Sequence, residues 1–63
     1  MEKVDRLLGY LEENPDTWFS IESLAERLGY GYRITAKIVA DIESKNLASV
    51  KREKFGKKLV KWR

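Results

Sequence analysis

The sequence predicts a small α+β domain: three helices, a short strand after the first, and a C-terminal β-hairpin. Three observations lead there. Apolar residues recur at helical spacing in three stretches, separated by Asn14-Pro15 and by Gly29-Tyr30-Gly31. Beyond Leu47 the period changes to two, with Ala48, Val50, Val60 and Trp62 sharing parity around Gly56. The same segment is strongly basic, with seven Lys and Arg among positions 51–63, and yet keeps this apolar alternation. A solvated tail has no reason to do so.

The first helix is expected over residues 2–13. Val4, Leu7, Leu8 and Leu11 are spaced 3, 1 and 3 apart and form one face, with acidic residues in the first turn. Asn14-Pro15 ends it, because the residue before a proline disfavours helical dihedrals. Gly9 costs this helix about 1 kcal/mol relative to alanine, and a closely packed neighbour is the expected reason for it. A short extended piece follows at 17–19 and contains Trp18 and Phe19, with both tryptophans assigned to the core.

Ser20 reads as the N-cap of a helix over 21–28, whose buried stripe is Ile21, Leu24, Ala25 and Leu28. Gly29 suits a left-handed C-cap, and Tyr30 a half-buried turn position. The third helix is expected over 32–45, with Ile34, Ile38, Val39 and Ile42 facing inward and Asn46 closing it. The hairpin spans 48–62. A two-residue Phe55-Gly56 turn would set Val50 against Lys61 and break the apolar face. A three-residue loop, Lys54-Phe55-Gly56, pairs Val50 with Val60, Glu53 with Lys57 and Ala48 with Trp62. It also puts glycine at the left-handed position.

Composition excludes several function classes. The chain of 63 residues has no cysteine and no histidine, so disulfides, thiolate metal sites and the commonest general base are absent. No arrangement of its acids, hydroxyls and lysines suggests catalysis, and no cofactor or metal is expected. Apolar runs are far short of the ~20 residues that span a bilayer, and the charged start is unlike a signal peptide. The expectation is an intracellular, cytoplasmic, nucleoid-associated protein. Charge is segregated: residues 1–47 carry six Lys/Arg against nine Asp/Glu, giving −3, and residues 48–63 carry seven against one, giving +6. Such a split fits either a polyanion partner or a solubilising end.

The run "SIESLAERLGYGYRITAKIVADIESKNLASVKRE" resembles the winged helix-turn-helix family. In that family a hydroxyl-capped helix ends in Leu-Gly, a hydrophobic residue and a cap follow, and a third helix precedes a leucine and the wing. The resemblance extends from Val4 to Trp62. It implies the order helix, strand, helix, helix, strand, strand, with the third helix in the major groove of DNA and the hairpin as a wing on backbone or minor groove. Gly31 stands where the family often has Ser, Thr or Asp, so the third helix is expected to start loosely or to settle on a ligand. Trp62 also resembles the wing-end tryptophan of left-handed-DNA binders with this fold. Ala36 and Ala40, however, stand where those proteins have asparagine and tyrosine.

With the third helix's isoleucines and valine given to the core, Tyr32, Arg33, Ala36, Lys37, Ala40 and Asp41 remain outside. Arg33 and Lys37, four apart, can reach guanine edges or phosphates, and the alanines permit close approach. Asp41 is expected to face away from a duplex or to pair with a lysine. Lys51, Arg52, Lys54, Lys57, Lys58, Lys61 and Arg63 are the candidate phosphate contacts of the hairpin. Phe55, at its tip, either stacks on a ligand or folds back on the domain. The resulting expectation is a double-stranded DNA binder, a small transcriptional regulator or chromatin-associated factor, acting as a monomer or as a weak homodimer through the first helix near Gly9 and Tyr10. The alternatives are a protein-interaction module, favoured by an apolar patch around Phe55, Tyr10 or Tyr32, and an RNA binder.

Overall fold

Ser20 is the joint of the molecule: the first strand ends on it and the second helix begins directly after it. The structure, a computed structural model, describes residues 2–63. Its elements run α1 (Glu2–Glu13), β1 (Phe19–Ser20), α2 (Ile21–Leu28), α3 (Tyr32–Ser44), β2 (Ser49–Arg52) and β3 (Lys58–Lys61). This is the α+β arrangement and the element order that the sequence predicts. The strands form one antiparallel sheet in the order β1-β3-β2. The last strand in sequence is therefore the central one.

Local chemistry accounts for the boundaries. Asn14 closes α1 with its backbone N–H on the Leu11 carbonyl at 3.0 Å, and its side-chain amide donates to the Tyr10 carbonyl at 3.0 Å. The Ser20 hydroxyl accepts from the Ser23 N–H at 3.1 Å, and Gly29 ends α2 in the left-handed conformation, φ 73°. Asn46, φ 55°, turns the chain out of α3. The predicted bounds shift by small amounts. The short strand is Phe19–Ser20 instead of 17–19, and Lys45 is the cap of α3 and not its last residue. Ladder pairing covers 49–52 and 58–61 of the predicted 48–62 hairpin.

The core lies between the three helices and one face of the sheet. Val4, Leu7 and Leu11 of α1 meet Ile21, Leu24 and Leu28 of α2 and Ile38, Val39 and Ile42 of α3, while Phe19 and Val60 close the sheet side. Val60 is fully buried and pairs with Phe19 on one side and Val50 on the other, which is the register the apolar parity demands. Ala48 and Trp62 pack partly buried against this core.

Three core expectations fail, each for an identifiable reason. Ile34 is exposed (42%), and fully buried Thr35 takes its place. At about 100° per residue, Thr35, Ile38, Val39 and Ile42 share one narrow stripe, and Ile34 lies about 90° from its centre. Thr35 is tolerated there because its hydroxyl donates to the Gly31 carbonyl at 3.0 Å. Trp18 is only half-buried and lies on the opposite face of the sheet from Phe19, because successive strand residues alternate faces. Gly9 has nothing within 4 Å of where a Cβ would stand, so no close neighbour explains it.

Candidate functional site

The period of α3 divides its solvent side into three strips. The strip facing the hairpin holds Tyr32, Ala36 and Glu43. The outermost strip holds Arg33, Lys37, Ala40 and Ser44, and the far flank holds Ile34, Asp41 and Lys45. Tyr32 and Ala36 line a cleft of about 230 Å³ together with Ser20, Ile21, Gly56 and Lys57. Ala36, expected on the outer face, is therefore half-buried and forms the wall of this cleft. Asp41 is held on its own helix by Lys45, with 3.3 Å between the charged atoms. Gly31 supplies no side-chain cap, and the Thr35 backbone N–H and hydroxyl both bond its carbonyl at 3.0 Å.

The hairpin does not present its cations as one surface. Arg52 and Lys58, paired in the ladder, face α3 and share Glu43: Lys58 Nζ is 3.0 Å from one carboxylate oxygen and Arg52 Nη2 is 3.9 Å from the other. The Lys58 hydrogen bond holds the Glu43 carboxyl below its usual pKa; burial opposes it, and the charges of Lys58 and Arg52 add to the lowering. Lys51 and Lys61 lie on the other face of the sheet, their Nζ atoms 4.4 and 5.1 Å from the centre of the Trp18 ring. Lys51 also reaches Glu53 at 3.6 Å. Arg63 stacks over Trp62 at 5.0 Å.

Lys54 and Lys57 flank the tip, which is a single 3₁₀ turn over Lys54–Gly56. The Glu53 N–H donates to the Lys57 carbonyl at 2.6 Å and closes it. Gly56 is left-handed, φ 75°, as the three-residue loop predicts, but Phe55 is left-handed too, φ 68°. Its side chain is fully exposed (102%), so the tip does not fold back on the domain.

Of the thirteen Lys and Arg in the chain, nine have an anionic, hydrogen-bonding or aromatic partner. Lys3 and Arg6 lie over Tyr30, and Arg27 donates to the Tyr10 hydroxyl at 2.9 Å. Among the described residues, Arg33, Lys37, Lys54 and Lys57 have none. These four belong to α3 and the hairpin tip, the elements on either side of the cleft. Sequence reasoning nominated all four, but gave equal weight to Lys51, Arg52, Lys58 and Lys61, which the fold commits elsewhere. Glu43 is the residue it missed. The missed signal is its place seven residues beyond Ala36, on the strip of α3 that faces the hairpin.

Among the described residues, no helix is long and apolar enough to cross a membrane. No family model, curated protein or solved structure matches the chain.

Proposed function

We propose that the chain is a winged-helix domain that binds double-stranded DNA, a small regulator or chromatin-associated factor. In this reading α3 enters the major groove and the tip of the hairpin lies on the adjoining backbone or minor groove. The observation that carries it is the set of four unpartnered cations, Arg33, Lys37, Lys54 and Lys57, on the two elements that border one cleft. Lysine and arginine held without counter-charge are what phosphates neutralise with release of counterions. The small side chains at Ala36 and Ala40 allow the helix backbone close to base edges.

The test is fluorescence anisotropy on a duplex of about one and a half helical turns across a potassium chloride series. Micromolar binding is expected at ~50 mM salt, and each of the four cations replaced by glutamine lowers the logarithmic salt slope by about 0.9. Absence of binding at that salt, or a slope indifferent to all four replacements, rules the reading out.

A second reading has its own observation. Tyr32, on the cleft side of α3, and Phe55, at the tip, are exposed large hydrophobics, which fits a protein partner seated there; exposed Ile34 lies on the far flank of α3. Amide shift mapping separates the two. Shifts confined to α3 and the tip on adding duplex support DNA, and a duplex that leaves both silent supports the protein partner. Competition by RNA for the same amides identifies the third case.

A further inference from the structure

The sheet has a second face. Its core side carries the row Phe19, Val60 and Val50. The ladder therefore places Ser20, Leu59 and Lys51 in one row on the opposite side. Continued by one residue, it places Trp18, Lys61 and Ser49 in the next. Among the described residues no helix packs on that side, since the buried faces of all three helices join the core cluster with Phe19 and Val60. Trp18, half-buried beside the edge strand β1, has the ammonium groups of Lys51 and Lys61 at 4.4 and 5.1 Å from its ring centre. Among the described residues, the one acid in ion-pair contact with either lysine is Glu53, just beyond the tip end of β2 and 3.6 Å from Lys51. The two rows themselves contain none.

We infer that this face is a second, separate nucleic-acid surface, one that takes a single strand. An indole on the open face of a sheet offers a stacking plane that any base can use, and two cations beside it meet the phosphates on either side of a stacked base. A duplex cannot use such a site, because its bases are already stacked within the helix. The charge also argues against an apolar partner, since docking one would bury the Lys61 ammonium without an anionic partner and desolvate the Lys51–Glu53 pair. In the free protein the lysines rest on the indole ring by cation–π attraction. A base that takes the ring and phosphates that take the lysines replace both interactions at once. The inference does not depend on the duplex-binding role of α3, because the two sites share no cation and no aromatic side chain, Ser20 being the one residue that borders both.

Trp18 is its own reporter. In a Trp62→Phe variant it is the only indole, and its fluorescence is followed during titration with a thymidine oligonucleotide of about twelve residues, a length suited to one such platform. Saturable quenching is expected at ~50 mM salt. Affinity should fall at least about tenfold in the Lys51→Gln, Lys61→Gln double variant, and the salt slope should fall by about 0.7 per lysine replaced. Replacing Arg33 and Lys37 should leave the quenching unchanged. Amide shifts of Trp18, Ser49, Leu59 and Lys61 in the unaltered chain provide the same readout if the Trp62 variant is poorly folded.

The inference is overturned if the oligonucleotide neither quenches Trp18 nor shifts these amides. It is equally overturned if the effect survives the lysine replacements, or if duplex DNA displaces the strand in step with occupation of α3. Poly-glutamate that quenches as well as the oligonucleotide does would reassign the face to an acidic protein partner.

Discussion

Glu43→Gln is the most informative single change, because Glu43 occupies two cations on the side of the hairpin that faces α3. Its two pairs are unequal. Arg52 is 3.9 Å away with a side chain 66% exposed, so water and salt already screen that pair and little is withheld. Lys58 is 3.0 Å away, hydrogen-bonded and only 23% exposed, so the carboxylate holds this lysine in a fixed position. If the duplex lies across the cleft, removing the carboxylate frees one well-placed cation for phosphate, and the salt slope should steepen by about 0.9. Releasing both cations equally would give about 1.8.

The assay is duplex anisotropy from low to moderate salt, on the wild type, Glu43→Gln, Lys58→Gln and the double variant. Lys58→Gln alone should change the slope little, and in the Glu43→Gln background it should cancel the gain. An unchanged slope in Glu43→Gln, or weaker binding despite one fewer negative charge, would refute both the geometry and the placement of DNA. The same variant tests stability. A carboxyl with a lowered folded-state pKa adds stability that is present above its ordinary value of 4.5 and is lost as pH falls through the lowered value. The wild type should therefore lose stability more steeply than Glu43→Gln below about pH 4.5, as read from thermal melts.

Other consequences concern the fold. Val60→Ala removes two methyl groups from the fully buried centre of the sheet, and should cost about 2–3 kcal/mol in urea unfolding; a loss below about 1 kcal/mol would mean that Val60 does not anchor the strand. Gly9→Ala places a methyl in open solvent on α1 and should raise stability by about 1 kcal/mol, since nothing there requires glycine. Phe55→Asn should stabilise the chain by about 0.5–1 kcal/mol, because a fully exposed side chain loses no packing and asparagine tolerates the left-handed backbone better. If the same change weakens duplex binding, Phe55 contacts the ligand at the expense of stability.

Most of the fold was legible because it depends on local rules. The stripe of α2, its serine cap and its glycine stop lie within one short run. Hairpin register follows from the shared parity of Val50 and Val60 with an odd loop between them. Hydrophobicity favours Ile34 for the core, but helical angle favours Thr35, which with Ile38, Val39 and Ile42 keeps the 3, 1, 3 spacing that Val4, Leu7, Leu8 and Leu11 show in α1. A hydroxyl at that position is tolerated because the Gly31 carbonyl accepts it alongside the Thr35 backbone N–H.

The candidate site was legible in its residue types and not in its wiring. The sequence by itself determined the element order, the apolar faces and the accumulation of positive charge on the hairpin, since each rests on neighbours a few positions apart. Only the tertiary structure decided which cations remain unpaired. That choice depends on Glu43 meeting Lys58 across 15 positions, and on Trp18 lying under Lys51 and Lys61 once β3 is inserted between β1 and β2. Ion pairs and cation–π contacts act over a few ångströms in space. Sequence distance does not register them, so the charges of the hairpin divide among its two faces and its tip only when the sheet closes.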